Sequence, residues 1–164
     1  MKKIKVILVC IMFTILIGCE LNNTPTSKVE QTLMDYQMAK PDKITTGVEL
    51  LTNADNLTEN EQDEYEKIVT KQYKSLSYNV KDETTDGNRA IIKVEIEVLD
   101  YKKELDNIEM QTNANYQQER INKLTSAKDK ITYTIEFSVV KNAKDEWEVE
   151  PLTKAEEQKI LGIY

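Results

Sequence analysis

The side chains whose types and spacing could do chemistry are few: Cys10 and Cys19, eight tyrosines, and the acids Glu59, Glu61, Asp63, Glu64 and Glu66. Histidine is absent. That removes the usual imidazole base, the commonest transition-metal ligand and nucleophile triads that depend on it. No zinc, haem or other cofactor site is expected. The acidic run could hold a divalent cation, but it follows Thr58 in the first turns of a predicted helix. Acids there are stabilised by the helix dipole and face water, so a solvated face is expected. Cys19 is different, because it closes Leu16-Ile17-Gly18-Cys19 at the end of an apolar run that starts just after Lys2, Lys3 and Lys5.

Val6 to Ile17 is twelve residues long with Thr14 its only hydroxyl. As a helix it would reach about 18 Å, against about 30 Å of bilayer hydrocarbon. A permanent span is therefore disfavoured. A basic start, an apolar middle of this length and a small residue at its end are the parts of a secretory signal. Leu16-Ile17-Gly18-Cys19 resembles the lipobox of bacterial lipoproteins, in which a branched apolar residue three positions before the cysteine and a small residue just before it fit signal peptidase II. The resemblance implies cleavage between Gly18 and Cys19, and diacylglycerol on the Cys19 thiol. It places the chain on the outer face of the bacterial cytoplasmic membrane. Two acyl chains supply the stable anchoring that a single myristoyl chain does not.

The expected organisation is a signal at residues 1–18, a lipid-anchored tether at 19–24 and one domain at 25–164. Loss of the signal shortens the chain from 164 to 146 residues and takes the formal charge from −7 to −10. A chain of that length buries about 68–70% of its unfolded surface, enough for one core. Nucleic acid is disfavoured as a partner, since the only arginines are Arg89 and Arg120 and the lysines are interleaved with acids. A polybasic membrane patch is disfavoured on the same ground, so the lipid must anchor the chain. With Cys10 removed and Cys19 acylated, no disulfide is expected.

Thr24-Pro25 reads as N-cap and first position of a helix with Val29, Leu33 and Tyr36 inward. Pro41 is expected to end it, and a second short helix is expected over Thr45 to Asn53 with Val48 and Leu51 inward. Thr58 and Glu61 form a capping box opening a third helix, whose buried face carries Tyr65, Ile68, Val69 and Tyr73. Leu76, Tyr78 and Val80 alternate with polar residues, Asp86-Gly87 turns the chain, and Ala90 to Val98 alternate again. Tyr101 to Lys128 reads as a long or broken helix with Leu105, Ile108, Ile121 and Leu124 as anchors and Gln111 to Asn115 as its weak middle. Ile131 to Val139 gives a third alternation, Glu146 to Glu150 a last strand with Trp147 and Val149 inward, and Thr153 with Glu156 a capping box for a C-terminal helix. The fold class expected is α+β, with helices packed on one face of a curved antiparallel sheet of about four strands.

The lipobox, Thr24-Pro25-Thr26, the Leu57-Thr58-Glu59-Asn60-Glu61-Gln62 helix start and the terminal Leu161-Gly162-Ile163-Tyr164 together resemble uncharacterised lipoproteins of Gram-positive bacteria. Those proteins are similar in fold to the cystatin-like, nuclear transport factor 2-like group. The resemblance implies a domain that binds an unknown protein or small molecule at the cell surface without catalysis. Its alternatives are a small enzyme using a carboxylate with tyrosine hydroxyls, and an envelope assembly or stress component. An exposed apolar patch including Ile91 and Leu99 would favour the last. The alternation assigns Tyr78, Tyr133, Phe137 and Trp147 to the sheet face opposite Tyr65 and Tyr73. Buried tyrosines need partners for their hydroxyls, so these six residues could line a partly polar pocket. A filled core whose hydroxyls reach the rim is the other reading, and aromatic stripes favour it.

Overall fold

The computed structural model describes residues 23–53, 57–106, 108 and 116–164. Cys19, Gly18 and the rest of the lipobox lie outside the described residues, as do Gln111 to Asn115.

Local chemistry sets the helix starts. Thr24 caps α1 (Pro25–Gln37): its side chain accepts from the Ser27 N–H, and the Ser27 hydroxyl side chain returns the bond. Thr58 does the same with Glu61 at α3 (Glu59–Ser75), and Thr153 with Glu156 at α6 (Lys154–Leu161). Each box satisfies amides that the first turn otherwise leaves without partners. Pro41 does not terminate α1. The helix ends at Gln37, Ala39 takes a left-handed conformation with φ 51°, and Pro41 is the first residue of α2 (Pro41–Thr52). The fixed φ of proline suits a first helical position, which is why α2 begins four residues before the expected Thr45.

The sheet is an open antiparallel meander in the order β1-β2-β3-β4, built from β1 (Ser77–Asp86), β2 (Arg89–Leu99), β3 (Lys130–Lys141) and β4 (Trp147–Val149). Gly87, at φ 57°, makes the first turn possible. The strand β1 runs past the expected Val80, with a register shift between Val80 and Asp82, while Leu76 caps α3 instead of joining the strand. Such a bulge bends its strand and increases local twist. Between β2 and β3 the chain forms α4 (Tyr101–Asp106) and α5 (Tyr116–Ser126), so the segment read as long or broken is broken.

Alternation delivers the two faces. Ala90, Ile92, Val94, Ile96 and Val98 are buried, and their β3 partners Val139, Phe137 and Ile135 are buried beside them. The opposite face carries cross-strand ion pairs between Lys81 and Glu95, Lys93 and Glu136, and Lys130 and Glu97. The helices α1, α3 and α6 pack on the strands, and α2 packs on α3. This is the α+β arrangement expected, with six helices and a four-stranded sheet among the described residues. The helix packing joins Val29, Leu33, Val69, Ile160 and Leu161 to the strand residues in one apolar cluster.

Candidate functional site

The six aromatic residues singled out from sequence occupy different depths. Tyr65, Tyr73 and Phe137 are fully enclosed and Trp147 is nearly so, whereas Tyr78 and Tyr133 are half-buried. Three of the four tyrosine hydroxyls find separate partners. Tyr65 donates to Gln117 Oε1 at 2.7 Å, Tyr73 to the Lys43 carbonyl at 3.3 Å, and Tyr133 to the Tyr164 carbonyl at 3.2 Å. The ring contacts run to other residues: Tyr73 meets Tyr36 edge-on at 5.1 Å, and Tyr133 meets Tyr164 edge-on at 6.0 Å. Trp147 has the Lys141 ammonium 5.3 Å above its ring and its backbone N–H on Asn23 Oδ1. Tyr78 lines an open surface groove with Asn79, Glu95, Glu97 and Thr132, and none of the other five aromatic residues is part of that lining.

Burial pushes the Tyr73 hydroxyl far above its ordinary pKa, helped by Tyr36 and Glu157 nearby. The hydroxyls of Tyr65, Tyr78 and Tyr133 are also pushed up, chiefly by burial, with the Arg120 cation opposing the shift at Tyr65. Tyr101, read from sequence only as a helix start, is fully buried and donates to the Ile68 carbonyl at 3.0 Å. Arg120 closes the end of α2, donating from Nη2 to the Leu51 carbonyl at 2.5 Å. Three acids of α3 serve the helix itself: Glu61 caps it, Glu64 pairs with Lys67, and Glu66 accepts from Gln62. Of the apolar pair considered as a docking patch, Ile91 is exposed but Leu99 is buried.

A groove without a local signal in the sequence lies where the end of α1, the start of α2 and the connection from β4 to α6 converge. It encloses about 250 Å³ and is lined by Tyr36, Lys43, Val149, Glu150, Leu152 and Glu157, among others. Tyr36 is only 2% exposed, yet its hydroxyl has no hydrogen-bond partner among the described residues. The hydroxyl is not sealed off, because Arg120 Nε is the one fully enclosed side-chain polar atom without a partner among those residues; it therefore opens to the groove Tyr36 lines. Lys43 sits with its ammonium 5.0 Å above the Tyr36 ring and 3.7 Å from Asp42 Oδ2. Glu157 has no ion pair or side-chain hydrogen bond among the described residues. Burial pushes its carboxyl above the usual carboxylate range, and Lys43 opposes that shift. Chemically, the groove offers acceptors in excess: two carboxylates and a hydroxyl against one lysine already engaged.

Among the described residues no cluster of acids or thiols is placed to hold a metal ion, and no helix is long and apolar enough to cross a membrane. Comparison with protein families, with curated proteins and with solved structures returns no match.

Proposed function

We propose that the protein is a lipid-anchored domain on the outer face of the bacterial cytoplasmic membrane, and that it binds a ligand or partner there without catalysing a reaction. The single observation carrying the anchoring is Leu16-Ile17-Gly18-Cys19 behind a basic start and a twelve-residue apolar run. Support for close apposition to the bilayer comes from where folding begins. Asn23 already accepts from the Trp147 amide at 2.9 Å, and Thr24 caps α1. A link from Cys19 to Asn23 extends at most about 15 Å, so an acylated Cys19 would keep the α1 start and the β4 turn near the headgroups.

Binding without catalysis is the reading that the side-chain chemistry favours. Of the deeply enclosed tyrosines among the described residues, Tyr65, Tyr73 and Tyr101 are committed to local acceptors and Tyr36 alone is not. The unpaired acceptors gather instead at an open groove, where they can hold a ligand but face no activated nucleophile. Metabolic labelling with a fatty acid tests the anchoring: the wild-type chain should incorporate label and be processed, and Cys19→Ala should do neither. Undiminished labelling of Cys19→Ala would overturn it.

A further inference from the structure

We propose that the groove between the end of α1, the start of α2 and the β4–α6 connection is a binding site for a small organic cation, a primary ammonium or guanidinium carried on a short apolar chain. The inference rests on the reading of the folded part as a binder and is independent of its anchoring.

Charge decides the sign of the ligand. Glu150 and Glu157 bring two carboxylates to the groove, while its one cation, Lys43, lies over the Tyr36 ring and close to Asp42. An anion would have to displace Lys43 from those contacts and approach two unpaired carboxylates. A cation completes what the groove lacks. An ammonium has three donors and no acceptor, and a guanidinium five donors in a plane, so either can serve Glu157, Glu150 and the Tyr36 oxygen together.

The Tyr36 hydroxyl is the second and independent indication. A tyrosine this deeply buried normally finds a partner for its hydroxyl, and Tyr65, Tyr73 and Tyr101 all do. The Tyr36 hydroxyl alone of these deeply enclosed ones ends at open space. Desolvation also holds the Glu157 carboxyl above its ordinary range, which an arriving cation would reverse by favouring the charged form. Val149 and Leu152 supply an apolar wall for the chain that carries the charge, and about 250 Å³ accommodates a group of four or five heavy atoms with its headgroup.

The test is a titration of the full chain in nonionic detergent with n-butylammonium chloride, followed by amide chemical shifts. n-Butanol and sodium butyrate serve as neutral and anionic controls. Saturable shifts at Tyr36, Lys43 and Glu157 are expected with butylammonium alone. Glu157→Gln should weaken binding about ten-fold and Tyr36→Phe by a smaller factor, with both variants folded by circular dichroism. Glu150→Gln, at an exposed position, provides a second carboxylate variant should Glu157→Gln fail to fold. Tighter binding of Nα-acetyl-lysine methylamide than of butylammonium would assign the site to a peptide side chain; equal or weaker binding would assign it to a free amine. Saturation by butyrate at the same amides, shifts that never saturate, or wild-type affinity in both carboxylate variants would overturn the proposal. None of those results bears on acylation of Cys19, which fatty-acid labelling reads separately.

Discussion

The carboxamide of Gln72 closes on both sides of one residue: its Oε1 accepts from the Leu99 N–H at 3.0 Å and its Nε2 donates to the Leu99 carbonyl at 2.8 Å. The same Nε2 donates to the Leu161 carbonyl at 2.7 Å. Gln72 is completely buried, so one α3 side chain ties the end of β2 to the end of α6.

Gln72→Ala would leave those three backbone groups buried without partners and open a void. Each unsatisfied group costs about 1–3 kcal/mol, and the groups share one cavity, so a loss of about 3–5 kcal/mol is expected. Urea denaturation of the full chain measures it. A loss below about 1 kcal/mol would mean that water or a shifted backbone replaces the amide.

Gly162 meets the same cluster from the other side. Its φ is +74°, and a Cβ there would run into the Leu99 carbonyl oxygen and Gln72 Nε2. Gly162→Ala therefore combines left-handed strain with a clash against backbone, and should cost about 2–4 kcal/mol. Gly87→Ala is the control. It has φ +57° with open space around it, and only the conformational cost of about 1 kcal/mol applies. Equal thermal midpoints for the two variants would show that the contact at Gly162 relaxes freely.

How much of this was legible in the sequence follows from how far apart the cooperating residues stand. Capping boxes join residues three apart, so Thr58 with Glu61 and Thr153 with Glu156 are readable as pairs. Period-two runs such as Ala90 to Val98 need only their own alternation, and the α+β plan follows from them. Pro41 was ambiguous locally, since a proline can follow one helix or open the next, and the left-handed Ala39 that decides the matter has no sequence signal. Gln72 did leave one: it sits beside Tyr73 on the apolar face of α3, where a polar residue demands partners. The groove at Tyr36 left none, because it is assembled from residues 36, 43, 149–152 and 157 and depends on how α6 returns over α2.

The aromatic residues read as a possible pocket, on the sheet and on the helix opposite, divide by depth, and truncation should read that division. Tyr65→Ala removes a fully enclosed ring and its bond to Gln117, with an expected loss of about 3–5 kcal/mol. Tyr133→Ala removes a half-buried ring whose hydroxyl bond to Tyr164 is exposed, and about 1–2 kcal/mol is expected. Tyr133→Phe should be close to neutral by the same denaturation measurement. A Tyr133→Ala loss as large as that of Tyr65→Ala would place Tyr133 in the core's cooperative unit.

Glu157 gives stability a dependence on pH in the acidic range. Its carboxyl is held above the ordinary value, first by burial, so the folded state keeps its proton at pH values where the unfolded chain has lost it. With more protons bound in the folded state, stability from this group falls as pH rises through the interval between the two values. Glu157→Gln should remove that contribution, so the difference in thermal midpoint between variant and wild type should grow in the variant's favour from acid toward neutral pH. A difference that stays constant over that interval would show that Glu157 is as well solvated in the fold as in the unfolded chain.

The tyrosines set a second and larger dependence at high pH. Burial holds the hydroxyls of Tyr36, Tyr73 and Tyr101 far above the ordinary value, with Glu157 and Asp42 adding to it at Tyr36, and with Tyr36 and Glu157 adding to it at Tyr73. In the unfolded chain all three ionise near pH 10. The folded state therefore binds more protons above that pH, and its stability, complete below about pH 10, must decline as the pH rises further. Phenolate absorbance followed together with circular dichroism should resolve two groups of tyrosines. One ionises while the fold persists, and the other, containing Tyr73 and Tyr101, ionises only as the ellipticity is lost. Tyr101→Phe should lower the amplitude of the second group by one phenolate without changing the first. If all eight tyrosines ionised reversibly near pH 10 with the ellipticity intact, the hydroxyls of Tyr73 and Tyr101 would have to reach water in the folded chain, contrary to their burial and their bonds to backbone carbonyls.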